Sequence, residues 1–189
     1  MSRIVNIFVV QENSLYSVQY EDEELDSLAQ LFDNWSNTEY LHDYFEKHKD
    51  KLESDFYNNM SIKSAVLKTI SESERFEDLL NESIENGIVL DGLKFKNLSK
   101  GETSSNLISS KAYGPSGKSW LRVYAICLSS KTFFITGGGI KLTKEMSEME
   151  ELEKELKKIN QVRDFLKENF VFEDSDIGVF EIDNDRLIL

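Results

Sequence analysis

Residues 112–128 read AYGPSGKSWLRVYAICL, and the fold turns on whether the first eight of them grip a phosphate or simply reverse the chain. Ala112, four intervening residues, then Gly117, Lys118 and Ser119 match a loose nucleotide-binding loop in which alanine replaces the first glycine. Such a loop needs a buried strand before it and a helix directly after it, because the helix N-terminus and successive backbone N–H groups hold the phosphates. Here the following residues, WLRVYAICL, alternate like a strand, the preceding NLISSK is weak as a buried parallel strand, and no apolar run ending in aspartate follows to serve magnesium. The stretch therefore reads as a hairpin built on glycine and proline. Within the strand, Leu121, Val123, Ala125 and Cys127 form a small apolar face, while Trp120, Arg122 and Tyr124 lie on the other. One face is expected to be core and the other to carry chemistry.

Outward from the hairpin, Lys131 to Thr136 reads as the next strand, after a Ser129–Ser130 turn, and Gly137, Gly138 and Gly139 are expected to interrupt it before Ile140 and Lys141. Ser147 and Glu150 have capping-box spacing, and Met149, Leu152, Leu156, Ile159, Val162 and Leu166 then form the apolar stripe of a long helix. A last strand is expected through 179–182. Towards the N-terminus, Ile4–Val10 and Leu15–Tyr20 flank a turn at 11–14 and predict an opening hairpin. Three helical patterns follow: Leu25, Leu28, Phe32 and Trp35 after a cap at Asp22; Leu41, Tyr44, Phe45, His48 and Leu52 after Asn37; and a long stretch from Ser61 to Asn86, stopped at Gly87. The expected fold is α+β in a single domain over 1–189: a small, mostly antiparallel sheet with flanking helices, a helical region at 21–87, and a sheet with its C-terminal helix at 88–169.

The net charge of −13 argues against a nucleic-acid partner until its distribution is considered. Residues 1–87 carry −12, residues 88–144 carry +7 and residues 145–189 carry −8. A basic segment between two acidic ones fits an anion-binding face, and the acidic helices are candidates to cover and restrain it. The N-terminal apolar run is short for a signal peptide and no window approaches a membrane span, so a cytoplasmic protein with no membrane partner is expected. The single cysteine, Cys127, excludes an internal disulfide and reads as a small buried hydrophobe. On one helix His48 is off the face shared by His42 and Glu46, which speaks against a metal site. With only two histidines, a Ser-His-Asp or Cys-His mechanism is also disfavoured.

The remaining chemistry is the basic sheet. Lys111, Lys118, Arg122, Tyr124, Lys141 and Lys144 could bind phosphate and, with a ribose 2′-hydroxyl in line, promote RNA cleavage. That scheme requires neither metal nor cofactor.

The stretch SKAYGPSGKSWLRVYAICLSSKTFFITGGGIKLTKEM, residues 110–146, followed by a charged amphipathic helix, resembles the C-terminal half of RelE/HigB-type toxins of bacterial type II toxin–antitoxin pairs. LRVY stands where that family has an arginine-bearing strand, and FFITGGGIKLTK where it has a second strand ending in glycine and basic residues. The resemblance implies a RelE-like core plus an added N-terminal helical region, endoribonuclease activity towards messenger RNA, often at the ribosome, and neutralisation by a small helix-turn-helix antitoxin. It assigns catalysis to Arg122, Lys141 and Tyr124, the tyrosine as a positioning group, and RNA binding to Lys111, Lys118 and Lys144, with Lys111 and Lys118 also candidates for proton transfer. The alternative is a non-enzymatic regulatory or protein-binding module of the same fold.

Overall fold

A computed structural model describes residues 3–54, 57–86, 94–98, 106–128, 132–179, 181–183 and 186–188. The opening hairpin forms as its pattern predicts, from β1 (Ile4–Gln11) and β2 (Leu15–Tyr20), with Asn13 at φ 59° in the turn. The asparagine suits that left-handed position.

The helices follow the apolar spacing closely. In α1 (Ser27–Ser36), α2 (Thr38–Lys47), the short α3 (Lys49–Leu52) and α4 (Ile62–Glu85), the buried set includes Leu28, Trp35, Leu41, Tyr44, Phe45, His48, Leu52, Ala65, Val66 and Phe76. Asn37 and Ser61 cap α2 and α4 by accepting from the backbone N–H of Tyr40 and Ser64. The first cap is Asp26, not Asp22: its Oδ1 accepts from the N–H groups of Leu28 and Ala29, and Leu25 is left exposed outside the helix. The expected stop at Gly87 lies outside the described residues.

Beyond the helices come β3 (Lys96–Asn97), β4 (Ile108–Tyr113), β5 (Leu121–Cys127), β6 (Phe133–Ile140), α5 (Glu150–Glu168), β7 (Glu181–Asp183) and β8 (Arg186–Ile188). The strands form one sheet in the order β3-β4-β5-β6-β2-β1-β8-β7. It is mostly antiparallel but larger than the small sheet expected, because the N-terminal hairpin joins the C-terminal strands through a parallel β2·β6 pair, Leu15 opposite Phe133 and Ser17 opposite Ile135. Helices cover both faces. The glycines of β6 show this directly: a Cβ on Gly137 or Gly139 would meet Glu155 or Leu152 of α5, whereas one on Gly138 would meet Leu31 of α1. Helices α2 and α4 pack on α1 to complete that layer.

Four expectations are corrected here. The glycines do not end β6; they pair with Tyr124, Val123 and Arg122 of β5, and the irregularity in the ladder is a register shift just before them, where it passes over Thr136. The face of β5 expected to carry chemistry is largely core, since α5 crosses it and Tyr124 and Ile126 are fully buried. A 3₁₀ turn at Met146–Glu148, closed by a Glu145/Glu148 capping box, replaces the expected Ser147 cap ahead of α5. Leu156 is also exposed, and Glu155 takes its place on the inward stripe because Gly137 leaves room for a carboxylate. The Ser129–Ser130 turn and Lys131 lie outside the described residues.

Candidate functional site: a basic cavity beside the hairpin

The hairpin at 114–119 is held by helix α4. Ser116 and Ser119 donate their hydroxyls to the two oxygens of Glu72, at 2.5 and 2.6 Å, and Lys68 closes an ion pair with the same carboxylate. Burial works to raise the Glu72 pKa, but these partners together hold it below the usual carboxylate value. One residue on, the Trp120 indole donates to Thr69 Oγ1 at 3.0 Å, and the Lys68 ammonium sits 4.6 Å from the Trp120 ring centre. Gly114 is required at the neck of the loop, where a Cβ would stand 2.1 Å from Ser119 Oγ. A loop whose hydroxyls are committed to a carboxylate and which runs into a strand is a hairpin, as its sequence context implies.

Fixing the hairpin fixes Arg122. Its Nη1 donates to the carbonyls of Ser119 and Leu121 at 2.8 and 2.7 Å, and the guanidinium lies 4.1 Å from the centre of the Tyr113 ring. Arg122 helps line a cavity of about 490 Å³ whose other walls include Tyr57, Lys118, Lys141 and Lys144. Among the described residues no carboxylate lines it. The Lys141 ammonium is oriented by donating to the carbonyls of Thr143, at 2.7 Å, and Lys144. Its pKa lies below the ordinary lysine value, first through burial and then through the positive charge of Arg122 and, more weakly, of Lys111. Tyr57, from the acidic helical half of the chain, donates to the Leu142 carbonyl at 3.2 Å and forms a wall of the same cavity.

Of the six residues singled out from sequence, four meet here: Lys118, Arg122, Lys141 and Lys144. Lys111 is half-buried one strand away, with Nζ 3.5 Å from the Leu98 carbonyl. Tyr124 does not reach the cavity; its ring is fully buried, its hydroxyl meets no hydrogen-bond partner among the described residues, and burial raises its pKa. Sequence gave no signal for Tyr57 or Glu72, which lie more than 40 positions before the hairpin in a strongly acidic region.

Among the described residues no cluster of histidine, cysteine and carboxylates could hold a metal. His48 packs on Tyr44 and faces Glu151 at 3.4 Å. Burial pushes the Cys127 thiol up to about 11, which keeps it protonated and unreactive near neutrality. Among the described residues no helix is long and apolar enough to cross a membrane.

Four cationic side chains, two of them with pKa values lowered by burial, thus meet in one concave wall with Tyr57. No protein-family model, curated protein or solved structure matches the chain.

Proposed function

We propose that this protein is a metal-independent ribonuclease of the RelE/HigB toxin type, acting on messenger RNA and neutralised by a small helix-turn-helix antitoxin. In this reading β4, β5, β6 and α5 are the RelE-like core and helices α1–α4 are an addition to it. The observation that carries the proposal is the convergence of Lys118, Arg122, Lys141 and Lys144 on one cavity. A phosphodiester placed there would lie against the guanidinium, which stabilises charge developing on phosphorus. The ribose 2′-oxygen bonds to phosphorus and gives its proton to water at the open mouth. The bond to the 5′-oxygen breaks, and that oxygen takes a proton from the Lys141 ammonium, leaving a 2′,3′-cyclic phosphate and a free 5′-hydroxyl. Lys118 and Lys144 hold the flanking backbone, while Tyr124 supports the strand from below.

The test is cleavage of 5′-labelled RNA by the purified chain in the presence of EDTA. Wild type is expected to leave cyclic phosphate ends, and Arg122→Ala to cut the rate by about 100-fold or more. If Lys141 is the proton donor, the rate falls as pH rises through a midpoint below that of a free lysine. A second reading, a non-enzymatic regulatory module, is favoured by two details: the Tyr124 hydroxyl is sealed off, and one arm of Arg122 is tied to two carbonyls. It predicts RNA binding or a stable protein complex with no cleavage at any pH.

A further inference from the structure

The hairpin loop has a second cavity on its other side, of about 610 Å³, lined by Leu79, Lys94, Lys96, Tyr113 and Pro115 among others. Two features join it to the cavity just described. Gly117 lines both. The Tyr113 ring, 39 % exposed, has Lys96 Nζ 5.6 Å from its centre and the Arg122 guanidinium 4.1 Å from it, so a single aromatic side chain contacts a cation of each cavity. Among the described residues neither cavity has a carboxylate in its lining. The walls of the second cavity also differ in kind. Leu79, Pro115 and Tyr113 offer apolar and aromatic surface beside two ammonium groups, which suits a nucleotide's base and sugar together with its phosphate better than a bare anion.

We infer that loop 114–119 divides the sites of two successive phosphodiesters, so that one single strand of RNA runs from the Lys141 cavity across Gly117 to the Lys94/Lys96 cavity. This rests on the phosphodiester reading of the first cavity and adds to it a minimum substrate length and a preference for unpaired strands. Glu72 has a place in the arrangement: it anchors the dividing loop through Ser116, which lines the second cavity, and Ser119, which lines the first.

The experiment is fluorescence anisotropy with two labelled probes, a dinucleoside monophosphate and a single-stranded hexanucleotide, titrated over a range of salt. Wild type is expected to bind the hexamer at least tenfold more tightly than the dimer. The Lys94→Ala/Lys96→Ala double variant should remove that advantage, leave dimer binding unchanged, and flatten the logarithmic salt dependence for the hexamer by about 1.4, at about 0.7 per lost phosphate contact. Gly117→Glu, at a position where a Cβ meets nothing within 4 Å, should weaken both probes by placing a carboxylate between the sites. Equal hexamer binding by wild type and the double variant would overturn the two-site inference while leaving the first cavity intact. Failure of wild type to bind either probe, or dimer binding indifferent to Arg122→Ala, would instead overturn the phosphodiester reading. Equal affinity for a duplex of the same length, or equally strong competition by polyglutamate, would overturn the single-stranded RNA assignment.

Discussion

Replacing Glu72 by alanine should loosen the hairpin on which both basic cavities depend. Glu72 is 8 % exposed and accepts two short hydroxyl hydrogen bonds besides its ion pair with Lys68. Hydrogen bonds to a charged group contribute about 1.5–3 kcal/mol each. Two of them, less what water restores to Ser116 at the loop surface, give a loss of about 3 kcal/mol. Because Lys68 is partly exposed, its freed ammonium adds little. In urea, with a slope of about 2 kcal/mol/M, the unfolding midpoint should fall by about 1.5 M. Acid should mimic the substitution. A folded pKa below the ordinary carboxylate value means that the stabilisation is present above that ordinary value and is lost as pH falls through the folded one. The wild-type and Glu72→Ala midpoints should therefore converge at low pH. A double-mutant cycle with Ser119→Ala should give a coupling of about 1–2 kcal/mol. A Glu72→Ala midpoint within 0.3 M of wild type, or zero coupling to Ser119, would refute the clamp.

Other consequences follow from the β6 glycines. Glu155 packs against Gly137 and Lys158, and burial pushes its carboxyl up to about 7. The native state therefore binds the extra proton between about pH 4.5 and 7, and stability should fall as pH rises through that window. Glu155→Gln should remove this dependence and exceed wild type by about 3 kcal/mol at pH 8; an unchanged pH profile would exclude Glu155 as its source. A Cβ at Gly138 would stand 2.2 Å from the Arg122 carbonyl and 2.8 Å from Leu31, so Gly138→Ala should cost about 3 kcal/mol or more. Gly117→Ala, with open space around it, should stay within about 0.5 kcal/mol of wild type. Equal midpoints for these two alanine variants would contradict the packing of β6.

The local elements were legible because their causes are local. Apolar residues at helical spacing marked α2, α4 and α5, strand alternation marked β5, and the failed context of the phosphate-loop pattern identified the hairpin. What escaped was non-local. Nothing in the sequence announces that β2 lies parallel to β6, since parallel pairing joins segments more than 100 residues apart without a turn between them. Nor could alternation along β5 reveal that α5 would cover Tyr124. Glu155 shows the same limit: its burial depends on a glycine in another element. The charge segregation, by contrast, has a counterpart in the fold, because Lys118, Arg122, Lys141 and Lys144 come from one basic segment and meet at one cavity. Tyr57 and Glu72 reach that neighbourhood from the acidic half through tertiary folding alone.

The most direct test of the central claim is to locate bound RNA on the protein. Single-stranded RNA carrying 4-thiouridine, photocrosslinked to the full chain and followed by peptide mass spectrometry, should label Tyr57, Tyr113 and peptides spanning 114–122 and 141–144. Labelling should fall sharply in an Arg122→Ala/Lys141→Ala double variant of unchanged circular dichroism. Crosslinks confined to α1 and the acidic surface of α5, or labelling indifferent to both substitutions, would contradict the assignment of this cavity to RNA.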